Sequence, residues 1–171
     1  MGSTIDPANE TTIPEALHYN GTTWSVVPVA QPTSPASATL GSVTAISPSD
    51  VWAVGEYTGA TSAAGGSALI EHWNGSSWSI VPSPTPGAYP SLTGVAARSA
   101  SDVYAVGTNL PSVDGGPEQA MILRWNGTSW SVDSSGAFTG ELFGAATFPG
   151  AANEWAVGVD GGNQGLVLSH S

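Results

Sequence analysis

An internal repeat constrains the fold of this chain more than any other feature of its sequence. The segments HYNGTTWSVVP, HWNGSSWSIVP and RWNGTSWSVDS follow one another at intervals of 54 and 52 residues. A second series, SDVWAVG, SDVYAVG and NEWAVG, recurs with nearly the same period. Because two independent series share a period, the sequence predicts about three imperfect repeats of roughly 52 residues each.

Each repeat contains four extended segments, A to D, of which LTGVAA, DVWAVG, ALIEHW and SSWSIVP are examples. Turn signals separate the segments at about ten-residue spacing, as short antiparallel strands require. The 171 residues include 22 Gly, 13 Pro and seven Trp, a composition rich in turn formers and strand formers. We therefore predict an all-β protein in which each repeat is one four-stranded antiparallel blade of a β-propeller.

An Asn-Gly pair stands between segments C and D in each repeat, at residues 20–21, 74–75 and 126–127. Asn-Gly between two hydrophobic segments supplies the positive φ that a tight hairpin needs. The pair is therefore predicted to set the register of the last two strands in every unit.

Bulky aromatic residues recur at two positions of the repeat. Small residues in segment A favour an innermost strand, where wedge-shaped blades crowd together, and the fuller segment B is expected beside it. The segment B aromatics are predicted to pack between neighbouring blades, and a second set is predicted to begin the outer strand. The first set is Trp52, Tyr104 and Trp155, and the second is Trp24, Trp78 and Trp130.

The motifs resemble kelch-like propeller repeats, which combine a VYAVG-type strand, a Gly-Gly pair and a later aromatic residue and Trp. The pairs here are Gly65-Gly66, Gly115-Gly116 and Gly161-Gly162, several residues after the strand instead of directly after it. The chain is most similar to the bacterial WNGxxW/DVWAVG propeller repeats, over residues 16–170. This resemblance implies a propeller fold and supplies no site residues.

The repeats divide the chain into a flexible, tag-like leader, 1–15, and a blade array, 16–171, with units at about 16–67, 68–119 and 120–171. The segments run C-D, then A-B-C-D twice, then A-B-C, which makes thirteen strands. Three blades cannot close a ring, since propellers ordinarily need about four to eight. We expect the chain to complete its ring with copies of itself, a six-bladed homodimer being favoured over a trimer. A monomeric open array, or a natural or engineered fragment, is the alternative.

The charge balance excludes several classes of partner. With a formal net charge of -11 and only Arg98 and Arg124 as strong cations, the chain cannot neutralise a phosphate backbone or an anionic membrane surface. The absence of cysteine excludes disulfides and thiolate metal sites. The first residues lack the basic and apolar regions of a secretory signal, and the compartment stays open, with an extracellular or cell-surface location slightly favoured.

Function is expected on the loops that join strand B to strand C and one blade to the next. The candidate ligand-binding residues on this loop face are Tyr57, Tyr89, Asp114, Glu118 and Asp160. No catalytic residue, metal site or cofactor is predicted, because the sequence has no GxSxG elbow and places no two acids in register in different repeats.

Three functions remain open at this stage. The favoured one is a non-catalytic interaction module that binds carbohydrate or another protein. The alternatives are a purely architectural propeller building block without a ligand, and a glycoside-active enzyme that uses loop carboxylates. The candidate carboxylates are Glu56, Asp114, Glu118, Glu141 and Asp160.

Overall fold

The structure, a computed structural model, describes residues 2–8, 10–32, 37–58, 66–148 and 153–170. In these ranges the chain forms thirteen strands and no helix, and every strand pair is antiparallel. The described segments accordingly contain no helix that could cross a membrane. The all-β prediction is confirmed. Gly65, one member of the Gly-Gly pairs, lies outside the described residues.

The strands form three hydrogen-bonded sheets. The N-terminal sheet has the order β1 (Gly2–Ile5), β2 (Thr12–Tyr19), β3 (Trp24–Val27). The first sheet has the order β4 (Ser37–Ser47), β5 (Asp50–Thr58), β6 (Gly66–Trp73), β7 (Trp78–Ile80). The remaining six strands form one continuous sheet, which is divided into two parts below: β8 (Ala88–Ser99), β9 (Asp102–Leu110), β10 (Gln119–Trp125), β11 (Trp130–Thr147), β12 (Glu154–Asp160) and β13 (Gly165–His170).

The long strand β11 belongs to two consecutive repeats. Its first part pairs with β10 from Trp130 onward, and its second part, from Gly140 to Thr147, pairs with β12. We call β8, β9, β10 and the first part of β11 the second sheet, and the second part of β11 with β12 and β13 the third sheet. The sequence predicted two separate strands here.

The N-terminus also differs from the prediction. Residues 2–5, placed in a flexible leader, form β1, which pairs with residues Thr12 to Glu15 of β2. The strand number equals the expected thirteen, but β1 is additional and the expected D and A strands around residues 130–147 are one strand.

The Asn-Gly turns adopt the predicted hairpins. Gly21, Gly75 and Gly127 have φ values of 98°, 97° and 96°. In the first turn, Asn20 Oδ1 accepts hydrogen bonds from the backbone N–H groups of Thr22 and Thr23, both at 2.9 Å. The other two turns repeat this pattern. Each loop thus has four residues, with Gly supplying the positive φ and Asn closing the turn through its side chain.

The sheets pack face to face, and apolar cores lie between them. The core between the first and second sheets holds these buried residues: Trp52, Val54, Ala68, Ile70, Leu92, Val95, Val103, Ala105, Met121, Leu123 and Trp130. A smaller core with Val106 and Leu142 separates the second and third sheets, and β2 of the N-terminal sheet lies against β4. Burying a side chain of the larger apolar types contributes about 1.5–3 kcal/mol, so these interfaces hold the four sheets in series.

Candidate functional site

The five predicted ligand-binding residues lie along one side of the stacked sheets, where strands end and loops connect them; we call this side the loop edge. In each repeat, strand pairing places the start of strand A, the end of strand B and the start of strand C at the loop edge, as in the pairs Ala38 with Tyr57 and Gly140 with Asp160. The structure divides the five residues into separate groups along the edge and does not gather them around one point.

Tyr57 and Tyr89 form the first group, beside the start of β6. Gly66 approaches both of them: a side chain there would meet the Tyr89 backbone and ring and the Tyr57 carbonyl oxygen. Tyr89 is 41% exposed and has a φ of 51°, a conformation that costs a non-glycine residue energy. Tyr57 packs partly against the core between the N-terminal and first sheets. Tyr89 therefore offers the more accessible aromatic surface.

Glu118 and Glu141 form the second group, where the second sheet meets the third. A hydrogen bond between the two carboxyl groups, followed by desolvation and the charge of Glu141, raises the pKa of Glu118. The backbone supports this contact, because the Gly140 N–H donates to the Glu118 carbonyl oxygen at 2.8 Å. The sequence placed both acids on loops and gave no indication that they pair.

Asp160 and Asp114 lie in turns. Asp160 Oδ1 accepts hydrogen bonds from the N–H groups of Gly162 at 2.9 Å and Gln164 at 2.8 Å. This carboxylate thus closes the turn between β12 and β13. Asp114 is exposed in the turn after β9, next to Gly115 with a φ of 100°. Within the described residues no group of three or more His, Asp or Glu side chains could hold a metal ion.

Two charged pairs recur at the opposite edge. His72 Nε2 lies 2.8 Å from Asp50 Oδ1, and Arg124 Nε donates to Asp102 Oδ1 at 2.9 Å. Arg98 joins Asp102 at 3.1 Å to Glu154 of the third sheet at 3.4 Å. The structure uses His72 and Arg124 in part-buried pairs that tie each third strand to the second.

The segment B aromatics differ sharply in exposure at the two ends of the stack. Trp52 and Tyr104 are each 2% exposed, because a following sheet covers them, whereas Trp155 is 50% exposed on the outer face of the third sheet. The prediction that these residues pack between neighbouring units is confirmed for the first two. It is wrong for Trp155 within the described residues, because none of the described sheets covers the outer face of the third sheet.

The outer-strand aromatics show the opposite gradient. Trp130 is 6% exposed in the core between the first and second sheets, Trp78 is half-buried, and Trp24 is 68% exposed on the N-terminal sheet. The two ends of the stack therefore each expose one tryptophan of a type that is buried inside the stack.

No protein-family model matches the chain, and no curated protein matches it significantly.

Proposed function

We propose that the chain is a non-catalytic β-propeller binding module that completes its ring by joining a second copy of itself. In this proposal each sheet is a blade or part of one, and the loop edge carries the ligand site. The observation that carries the proposal is the pair of exposed repeat tryptophans, Trp24 and Trp155, at opposite ends of the stack.

The composition of the end sheets supports this assembly. The first and second sheets each have four strands, whereas the third sheet stops after its third strand, β13. The N-terminal sheet has the last two strands of a repeat, β2 and β3, with β1 in an added position. One four-stranded blade therefore results when the β2–β3 hairpin of one copy takes the place of β13 beside β12 of another, and two copies give six blades.

Association would also remove two exposed features that are costly for a monomer. The end faces display large apolar side chains, including Trp24, Val26, Trp155 and Val167 at 68%, 59%, 50% and 63% exposure. Unpaired strand edges beside such residues invite pairing with other chains. A closed ring would cover the apolar side chains and pair the strand edges.

The first test is the molar mass in solution, measured by light scattering during size-exclusion chromatography over a hundredfold dilution. We expect a species of twice the 17.1 kDa chain mass that dissociates on dilution without unfolding. A particle of 17.1 kDa at every concentration would overturn the assembly.

The loop edge fits a neutral ligand with an apolar face, such as a carbohydrate. Tyr89 supplies an exposed ring, and the net charge of -11 disfavours anions. Binding is tested with a panel of neutral glycans by calorimetry, with Tyr89→Ala beside the wild type. A saturable signal that Tyr89→Ala abolishes would support the site, and no saturation at millimolar concentration would refute carbohydrate binding there.

A further inference from the structure

Two cavities mark the places where strands are missing at the ends of the stack. The larger, of 630 Å³, opens between the N-terminal and first sheets. The smaller, of 180 Å³, lies between the second and third sheets. Both are lined mainly by apolar side chains, and each can be compared residue by residue with the filled core between the first and second sheets.

The residues that line the larger cavity are equivalent to those of the filled core, except that the residues of strand B, the second strand of the repeat, are missing. Strand register and the repeat place six of its lining residues at positions equivalent to members of the filled core. The equivalent pairs are Ala16 with Ile70, Val27 with Val81, Val43 with Val95, Val51 with Val103, Trp73 with Trp125, and Trp78 with Trp130.

Trp52 and Val54 of β5 are the members of the filled core for which the described N-terminal sheet has no residue at the equivalent position. Their places are empty because β1, which occupies the second-strand position, pairs with β2 only as far as Glu15. In the filled core the Trp52 ring lies 4.3 Å from His72 and 4.9 Å from Trp125, centroid to centroid. An indole in the larger cavity would contact the equivalent residues, His18 and Trp73.

The smaller cavity repeats the filled core without its outer-strand tryptophan. Its lining residues Tyr104, Val106, Ile122, Glu154, Ala156 and Leu168 are equivalent to Trp52, Val54, Ile70, Val103, Ala105 and Leu123. The missing member is the equivalent of Trp130, since no described strand follows β13. In the filled core Trp130 meets Trp52 edge-on at 5.4 Å.

The chain carries both missing tryptophans, each at the end opposite its cavity. Trp155 is the repeat equivalent of Trp52, and Trp24 is the equivalent of Trp130. We propose that two copies join through shared sheets, one at each junction of the ring. In each shared sheet, Trp155 of one copy fills the larger cavity of the other copy, and Trp24 of that other copy fills the smaller cavity of the first. This inference rests on the proposed self-assembly and specifies its contacts.

The shared sheet requires an exchange of strands. In the register of the first sheet, where Trp52 pairs with His72 and Ala53 with Glu71, β12 would align Trp155 with His18 and Ala156 with Leu17 of the other copy. The β2–β3 hairpin would then replace β13. This strand is the one to leave, because none of its described side chains is buried, whereas Pro14 and Ala16 of β2 are.

Strand β1 must also leave the edge of β2. It pairs over four residues, and its Ile5 side chain is 67% exposed, so little burial opposes its release. At each junction the β12–β13 and β1–β2 ladders are lost and one β12–β2 ladder forms, and the apolar burial of two tryptophans is gained.

The decisive experiment mixes two variants, Trp155→Ala and Trp24→Ala, and measures association by analytical ultracentrifugation. Each variant alone should raise the dissociation constant at least about tenfold, as loss of a buried interface tryptophan does. The mixed dimer lacks two of the four junction tryptophans, as each variant's own dimer does, so its affinity should lie between the affinities of the two variants. Val113→Ala, a 60% exposed loop residue away from both cavities, is the control and should change nothing.

A cross-linking experiment checks the strand register. The chain has no cysteine, so Leu17→Cys and Ala156→Cys each introduce a single thiol. A short bis-maleimide should join the two variants to each other when they are mixed. Circular dichroism and urea unfolding check that all variants fold. Both substituted tryptophans are largely exposed in the single chain, so neither substitution should abolish folding.

The outcomes separate the two proposals. Tryptophan-dependent association with the cross-link supports the shared sheet. A dimer that ignores both tryptophan substitutions and gives no cross-link overturns this inference and leaves self-assembly standing. A monomer at all concentrations overturns self-assembly, and the shared sheet with it.

Discussion

Substituting Glu71 with Gln should remove a pH-dependent part of the stability of this protein. Glu71 is completely buried on β6, and burial is the main cause that raises its pKa from 4.5 to about 7. Its Oε2 accepts a hydrogen bond from the Ala30 N–H at 3.1 Å, which opposes the shift, while Oε1 has no hydrogen-bond partner in the described structure. The equivalent positions in the other sheets hold leucines, Leu17, Leu123 and Leu168.

The sign and the size of this pH dependence follow from the linkage between proton binding and folding. The folded state holds the Glu71 proton more tightly than the unfolded state, so the stabilisation is complete below pH 4.5 and is lost as the pH rises to about 7. Each pKa unit corresponds to about 1.36 kcal/mol, so the loss across this interval amounts to about 3 kcal/mol. Glu71→Gln carries no titrating group and should lack this component.

The assay is urea unfolding followed by tryptophan fluorescence between pH 4 and 8.5, at fixed protein concentration because association also changes stability. The difference in unfolding free energy between wild type and Glu71→Gln isolates this residue from the other carboxylates. Glu56→Gln, an exposed substitution on β5, is the control and should show no such interval. A wild-type minus Glu71→Gln difference that stays flat from pH 4.5 to 7 would refute the assignment of the raised pKa.

Two further predictions concern the turns and the ion pairs. Gly21 and Gly75 have nearly equal φ values of 98° and 97°, but an added Cβ meets nothing within 4 Å at Gly21 and lies 2.8 Å from Ser49 Cβ at Gly75. Alanine at Gly21 should therefore cost only the backbone strain, about 1 kcal/mol, and alanine at Gly75 clearly more, as measured by urea unfolding; equal costs would show that the Ser49 contact relaxes freely. Arg98→Met removes the cation between Asp102 and Glu154 and should cost about 2 kcal/mol, with a smaller cost in high salt; a thermal or urea midpoint unchanged at low salt would contradict a structural role for this bridge.

Repeat register explains why so much of the local structure was predictable. The same residues oppose each other in each sheet, as in the pairs Trp73 with Trp78 and Trp125 with Trp130 at the ends of the hairpins. The glycine that follows valine in segment B also has a structural reason. Strand A of the repeat has a bulge, and a side chain at Gly55 or Gly107 would collide with a backbone carbonyl oxygen of the strand A beside it. A repeated short-range motif therefore specifies repeated geometry.

Connections between repeats were harder to predict, because they depend on backbone donors outside the motifs. Between β7 and β8 the chain has Pro82, Pro84 and Pro86, which lack the N–H that a sheet ladder needs, and it leaves the sheet there. No proline interrupts residues 130–147, so β11 continues from one repeat into the next. The pairing of β1 could not be predicted either, since Gly2 to Ile5 carries no repeat signal and pairs only because β2 has an open edge.

The candidate site shows the same division between what a motif specifies and what a neighbour decides. Position in the repeat gives Trp52, Tyr104 and Trp155 one orientation on the sheet, but their exposures are 2%, 2% and 50%. Burial requires a second surface, and a single-chain sequence does not state what lies beyond its last sheet. The exposed indole of Trp155 and the cavity lined by His18, Trp73 and Trp78 are two halves of an arrangement that is complete around Trp52. The ends of the stack therefore have the chemistry of its interior, and in the proposed assembly a second copy supplies what each end lacks.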